Sequence, residues 1–336
     1  MKRTSILTSF IIFQSILCWL SPATAVAQPT AVAQPLTSRS DTAISYIERG
    51  NVMFARREWE RAIADFDLAI ASDPNLAYGY NSRGAARWRL KDYERAVADF
   101  DRAIQLDPRF AEAYVNRGKA RYQLGDLDGA MSDSSRSIEL DPKRASGWYV
   151  HGLARGGKGD YGGAIADLDR AAKLNPREAE IFSNRGVARL NLGDLDGAIS
   201  DHTRAIKLNS DFFMAWNERG VARRMKGDFD GALADYNQAI KLNPRFADAW
   251  FNRATYWKVK GDLKQADADF TRVIELNPHM ANAYAQRGLA RLLNGRDVEA
   301  EQDFARCLTL NNNMKQTLAR LIEEAKQQSA QSGSVR

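Results

Sequence analysis

Residues suited to metal binding or nucleophilic catalysis are scarce in this sequence: its 336 positions hold three histidines and two cysteines. His151, His202 and His279 are scattered without ligand spacing, so no metal site is legible. No grouping of Ser, His and Asp points to nucleophilic catalysis, and no polar residues converge as an active site would require. The reading is therefore of a protein that is not an enzyme and that needs no cofactor. Of the two cysteines, Cys18 lies in an N-terminal apolar stretch, preceded by Ile16 and Leu17 where a lipid-attachment signal would want small residues. Without that stretch Cys307 has no partner, which excludes an intrachain disulfide and leaves a buried free thiol as its expected state.

Runs of one charge are also missing. The 48 basic residues are interleaved with 42 acidic ones, so the formal charge of +6 reads as surface and pairing, with no nucleic-acid partner expected. A single apolar stretch, Ile6 to Leu20, follows Lys2 and Arg3 and leads into Ala25-Val26-Ala27. That order predicts a secretory signal over residues 1–27 and an exported protein. In a two-membrane bacterium its compartment would be the periplasm; secretion or an organelle lumen are alternatives. A duplicated TAVAQP offers a second cleavage site after Ala33. An uncleaved anchor is the competing reading, but the stretch is shorter than the ~20 residues that span a bilayer. Cleavage after Ala27 would leave 46 basic and 42 acidic residues, a charge of +4. No integral membrane span is expected after cleavage.

Self-similarity then dominates. From Ala43 the chain divides into eight segments of 34 residues ending at Met314, without insertion or deletion. Gly50, Gly84, Gly118, Gly152, Gly186, Gly220 and Gly288 share one column, with Ala254 the exception; Ala62, Ala96, Ala130, Ala164, Ala198, Ala232, Ala266 and Ala300 fill another. Each segment reads as two amphipathic helices, the second of the sixth copy carrying Ala232, Tyr236, Ala239 and Ile240 on one face. Gly-Asp between them (193–194, 227–228, 261–262) predicts a left-handed glycine that ends one helix and an aspartate that caps the next. Asn-Pro or Asp-Pro closes the second helix, as at 107–108, 175–176 and 277–278.

A helix of about 14 residues is roughly 21 Å long, and a pair of them cannot bury its apolar faces alone, so the pairs must stack. An aromatic stripe along the first helices (Tyr46, Tyr80, Tyr114, Trp148, Phe182, Trp216, Trp250, Tyr284) is expected to be core.

This pattern, an aromatic, three residues, Gly, then Ala, aromatic, Ala and Pro at fixed offsets, resembles the tetratricopeptide repeat family over residues 43–314. The resemblance implies an all-α fold, an α-solenoid: a right-handed superhelix of eight 34-residue helical hairpins whose first helices line a groove for peptides or partner proteins. A linker over 28–42, a capping helix over 315–330 with Leu318, Leu321, Ile322 and Ala325 on one face, and a disordered tail over 331–336 complete the expected organisation.

One recurring pair invites a catalytic reading. Asp201 lies sixteen residues after Arg185, equidistant with it from Gly193. The aspartate recurs at 65, 99, 133, 167, 235, 269 and 303, and the arginine at 49, 83, 117, 219, 253 and 287, with His151 in the fourth copy. A catalytic pair is needed once and a scaffold pair many times, so salt bridges within a hairpin or to the adjoining one are expected. Asp65-Phe66-Asp67, Asp99-Phe100-Asp101 and Asp167-Leu168-Asp169 resemble acidic metal pairs, but alternate helical residues point apart. Gly157–Gly162 and Gly152–Lys158 resemble nucleotide-binding loops, yet the register sets them on a helix and its turn with no preceding strand, and Gly159 replaces the Ser or Thr a phosphate loop requires. Six glycines between 152 and 163 make the fourth copy the expected flexible point.

The resemblance places a partner-binding groove along the first helices. Its candidates are Ile47, Asn51 and Phe54 in the first copy, Tyr78, Asn81 and Trp88 in the second, and Val115, Lys119 and Tyr122 in the third. Later copies add Tyr149, Leu153, Leu190, Asn217, Arg224, Phe251 and Lys258. Trp88 and Tyr122 lead as aromatic anchors for a polypeptide segment. Ile47, Asn81 and Val115 stand where a carboxylate-gripping member of the family would carry its leading lysine, so that use is not expected. The expected function is a scaffold or adaptor in the cell envelope; the alternative is an accessory subunit of an envelope assembly or export machine acting through its convex face and ends.

Overall fold

The structure, a computed structural model, describes the backbone of residues 39–333 and the side chains of 41–327. The signal expected over 1–27, and Cys18 within it, lie outside the described residues. Among those described there are seventeen α-helices and no strand. They form two compact units that divide between Leu192 and Gly193.

The first unit holds α1 (Arg39–Ala55), α2 (Trp59–Ser72), α3 (Ala77–Arg89), α4 (Tyr93–Leu106), α5 (Ala111–Gln123), α6 (Leu127–Leu140), α7 (Ala145–Gly157), α8 (Tyr161–Leu174) and α9 (Ala179–Asn191). The second holds α10 (Leu195–Leu208), α11 (Phe213–Lys226), α12 (Phe229–Leu242), α13 (Ala247–Lys260), α14 (Leu263–Leu276), α15 (Ala281–Leu293), α16 (Asp297–Leu310) and α17 (Lys315–Gly333). Seven odd-numbered helices, α3 to α15, begin where the 34-residue period starts a new copy. α1 begins at Arg39, four residues ahead of its period, and α17 runs past residue 330 to Gly333.

The joints follow from local chemistry. Gly125, Gly159, Gly193, Gly227, Gly261 and Gly295 have φ between 73° and 92°, which a side chain would strain. In the first two hairpins Arg57 and Lys91 hold this position at φ 63°. Asp126, Asp160, Asp194, Asp228 and Asp262 then accept the amide three residues on, capping the second helix. At the other joint the Asp or Asn that ends each second helix accepts the amide two residues on, as Asp107 does from Arg109 at 2.9 Å.

Packing depends on small residues opposite large ones. The eight alanines of the invariant column are all fully buried. Four residues on, Phe66, Phe100, Leu168, Tyr236 and Phe270 fill the space against them, also fully buried. A Cβ at Gly84 would stand 2.7 Å from Phe100 Cε1, so this glycine lets the two helices of its hairpin close. Ala254, facing the same column at Phe270, shows that one methyl can be accommodated there. Gly84→Ala is therefore expected to cost about 1 kcal/mol and Gly84→Val about 3 kcal/mol, read as thermal stability of the full chain.

Hairpins stack in chain order within each unit. The first helices of neighbouring hairpins touch (α1 with α3, α3 with α5, α5 with α7, α7 with α9; α11 with α13, α13 with α15), whereas the second helices make no comparable contact among the described residues. The first helices thus form the tighter, inner side of each unit. α17 packs on α15 with Leu318 and Ala325 buried and Leu321 and Ile322 half-covered, closing the last hairpin as its apolar face predicts. Cys307 is fully buried in that cluster and donates to Met314 Sδ at 3.7 Å. The glycine-rich fourth hairpin is continuous: α7 and α8 are unbroken helices, and Gly152 packs on α8, where a Cβ would meet the carbonyl oxygen of Ala164 at 3.2 Å.

Candidate functional site

The repeated arginine and aspartate are joined within each hairpin that lies wholly inside one unit. Arg83 Nη2 donates to Asp99 at 2.6 Å, Arg117 to Asp133 at 2.6 Å, Arg219 to Asp235 at 2.7 Å and Arg287 to Asp303 at 2.7 Å. Arg49–Asp65 and Arg253–Asp269 repeat the pairing, and His151 Nδ1 lies 2.7 Å from Asp167 Oδ2 in the fourth copy. Arg185 and Asp201 fall in different units.

The other arm of the guanidinium reaches back to the preceding hairpin. Arg83 Nη1 donates to Asp67, Arg117 to Asp101 and Arg185 to Asp169, each at 2.6 Å. In the second unit the acceptors are neutral: Thr203 for Arg219, Asn237 for Arg253 and Thr271 for Arg287. Each of these arginines thereby ties consecutive hairpins together. A second arginine four residues on, Arg87, Arg121, Arg155, Arg223 or Arg291, also binds the aspartate of its own hairpin.

The aromatic stripe is only half-buried, apart from Phe182, because it belongs to the same device. The Arg219 guanidinium lies 4.7 Å from the Trp216 ring centroid, and Arg253 the same distance from Trp250. The polar edge of the ring points away, Trp216 Nε1 donating to the carbonyl of Ser210 at 2.9 Å and Trp250 Nε1 to that of Pro244 at 3.0 Å. The stripe expected as plain core is a backing for the arginine and a latch on the preceding turn. Burial pushes Asp99 above the usual carboxylate range, opposed by Arg83 and Arg87. The carboxylate carries a desolvation penalty that its cations offset.

The candidate binding surface is the inner side of each unit, and the structure sorts the expected residues into three groups. Asn51 and Tyr78 are exposed, Tyr78 by 44% and stacked on Phe110 with centroids 6.5 Å apart. Phe54, Trp88, Lys119, Arg224, Phe251 and Lys258 are half-buried. Ile47, Asn81, Val115, Tyr122, Tyr149 and Asn217 are buried, as are Leu153 and Leu190.

This last group presents little surface in the free chain. The reason is the close approach of first helices. Asn116 Nδ2 donates to Asn81 Oδ1 at 3.0 Å, Asn184 to the Tyr149 hydroxyl at 3.0 Å and Asn252 to Asn217 Oδ1 at 2.9 Å. These bonds, each across 35 residues, sew one first helix to the next. The three donors were missed as functional residues, although Asn116, Asn184 and Asn252 share a column of the repeat and could have been found there. The half-buried aromatics are partly engaged too: Phe54 meets Trp59 edge-on at 4.8 Å and Phe251 meets Phe270 at 5.4 Å.

Charge is unevenly neutralised along the inner side. In the second unit burial lowers Lys258 to about 8, and its ammonium bonds Gln286. Burial raises Glu218 to about 7, with Asn217 donating to it at 3.0 Å. In the first unit burial, with a smaller contribution from a hydrogen bond with Glu178, raises Glu180 well above the usual carboxylate range. Among the described residues no group of three or more His, Cys, Asp or Glu could hold a metal ion, and no helix is long and apolar enough to cross a membrane.

Family models described as TPR repeat match residues 89–125 and 222–259, and others described as tetratricopeptide repeat match 111–144, 149–211 and 258–313. No curated protein matches the chain. Among solved structures, that of the APC/C hetero-tetramer Cut9–Hcn1 is similar at a TM-score of 0.68 and 18% identity, covering 85% of this chain and 56% of that one. A tetratricopeptide repeat protein from Parabacteroides merdae matches at 0.58 and 15%, covering 74% and 98%. PilF of Pseudomonas aeruginosa matches at 0.53 and 18%, covering 60% and 92%. The present chain thus spans little more than half of the Cut9–Hcn1 chain, and identities this low speak for the fold alone.

Proposed function

Because the chain belongs to the tetratricopeptide repeat family, we propose that it is a non-enzymatic interaction scaffold that holds a polypeptide segment against the inner side of its first helices. The observation that carries this reading is the contrast between the two kinds of polar residue. The conspicuous Arg–Asp pairs are consumed in joining hairpins, whereas Asn51, Tyr78 and Lys119 on the first helices are left accessible or unneutralised. An exposed tyrosine beside amides and a cation suits a segment that needs both apolar and polar contacts.

Export is part of the proposal. Lys2-Arg3, the apolar stretch and Ala25-Val26-Ala27 support it, and fractionation with N-terminal sequencing of the mature chain tests it: Gln28 as first residue is expected, and an intact Met1 in the cytoplasm would contradict it.

Site-specific photocross-linking tests the surface. A photoreactive residue at position 78, on the inner side, or at position 68, exposed on α2, is offered a biotinylated decapeptide pool of mixed composition. Capture from 78 and little from 68 is expected. The reverse would favour an accessory subunit that works through its outer face.

A further inference from the structure

The inner side of the first unit has an imbalance between hydrogen-bond donors and acceptors at α3 and α5. Lys119, half-buried on α5, has no hydrogen-bond or ion-pair partner among the described residues. Its neighbouring cations are Arg89 and Arg144, its neighbouring acids Glu112 and Glu178. The acids have other contacts: Glu112 lies 3.7 Å from Arg144, and Glu178 accepts from Asn175 and is hydrogen-bonded with Glu180. Arg89 on α3 lies over the rings of Phe54, Trp59 and Trp88 at 5.9, 5.8 and 5.3 Å, which keeps its guanidinium against the first-helix surface. Two further donors on the same two helices, Trp88 Nε1 and Gln123 Nε2, are buried without a partner. Gln123 lies one helical turn beyond Lys119, so the two share a face of α5.

An indole N–H, an amide N–H and an ammonium together present donors and positive charge. The ligand group that satisfies them is an acceptor carrying negative charge. From this placement we propose that the α3–α5 inner face, centred on Lys119, receives an aspartate or glutamate side chain of the bound polypeptide. The inference rests on the reading of the inner side as a polypeptide-binding surface and names the chemistry of its partner. Lys119 without that partner is a burden on the fold: burial lowers it to about 8, against an ordinary lysine near 10.5. A side chain that destabilises the free protein and is relieved by a ligand belongs to binding rather than to packing.

The test uses the full chain and three fluorescein-labelled decapeptide pools, alternate positions being Asp/Glu, Asn/Gln or Lys and the rest drawn from Ala, Ser, Leu and Tyr. Anisotropy at low salt is expected to give at least tenfold tighter binding for the acidic pool than for the amide pool, about the factor one charge-assisted contact provides. Lys119→Met should bring the ratio of acidic-pool to amide-pool affinity down to about one, by a larger loss for the acidic pool, and raise the melting temperature by about 2–4 °C. Lys119→Arg should keep most of the acid preference. Equal binding of acidic and amide pools by the wild type, or equal loss of both in Lys119→Met, overturns the proposal. Binding of amide or basic pools without acid preference would end it while leaving the polypeptide-binding reading in place. Failure of every pool together with failure of cross-linking from position 78 would end both.

Discussion

Asp235→Ala is expected to destabilise the second unit by about 3–5 kcal/mol, the largest single-residue effect anticipated for this fold. The side chain is 2% exposed and accepts from two arginines, Arg219 at 2.7 Å and Arg223 at 2.8 Å. Removing it leaves the Arg219 guanidinium, itself 9% exposed, with the hydroxyl of Thr203 as its remaining described polar contact. A neutral oxygen cannot offset the desolvation of a buried cation. Replacing both partners, Arg219→Met with Asp235→Leu, should restore part of the loss, because a well-packed apolar pair carries no unmet charge. Chemical denaturation read by far-ultraviolet circular dichroism measures the three variants. A single variant as stable as the wild type would show that the pair is decoration.

Acid should destabilise the same unit through His202, and His202→Phe should remove that sensitivity. His202 occupies the column filled elsewhere by Phe66, Phe100 and Phe270, and it is fully buried. Burial, with a smaller contribution from Arg219, lowers it from 6.5 to about 3. The unfolded chain therefore takes up a proton below about pH 6.5 that the folded chain refuses until about pH 3, so the unfolded state binds more protons across that window. Stability is full above pH 6.5 and falls by about 1.4 kcal/mol for each pH unit below it, reaching about 2–3 kcal/mol at pH 4.5. The carboxylates titrate alike in both proteins, so the difference between wild type and His202→Phe isolates the imidazole. Curves for the two proteins that run parallel from pH 7 to pH 4.5 would contradict this account.

Much of the architecture is legible in the period alone. A strict 34-residue repeat places the starts of α3 to α15, and the equal spacing of Arg and Asp about the inter-helix glycine puts them level in an antiparallel pair. Which second partner each arginine finds is not legible, because it depends on how closely the preceding hairpin approaches. The same position supplies Asp67 and Asp101 in the first unit but Thr203, Asn237 and Thr271 in the second. The inner surface is harder still. Helical periodicity tells which side of α5 carries Val115, Lys119 and Tyr122, but not that packing buries the first and last and leaves the middle one partly open. Tyr122, chosen from sequence as an anchor, is 6% exposed for that reason. Tyr78, on α3, is 44% exposed although its ring stacks on Phe110, which periodicity alone does not tell.

The division of labour proposed for this chain is that the repeated ion pairs build the stack and the inner side of the first helices binds the polypeptide. Cross-linking of the decapeptide pool from position 78, performed at 20 °C beside a thermal melt on wild type and on Asp133→Ala, tests it most directly. Asp133 is held by Arg117 at 2.6 Å and Arg121 at 3.0 Å, so the variant should melt well below the wild type. While still folded it should capture peptide in equal yield. An unchanged melting curve with capture lost would mean that the ion pairs are the binding site, and the division would be wrong.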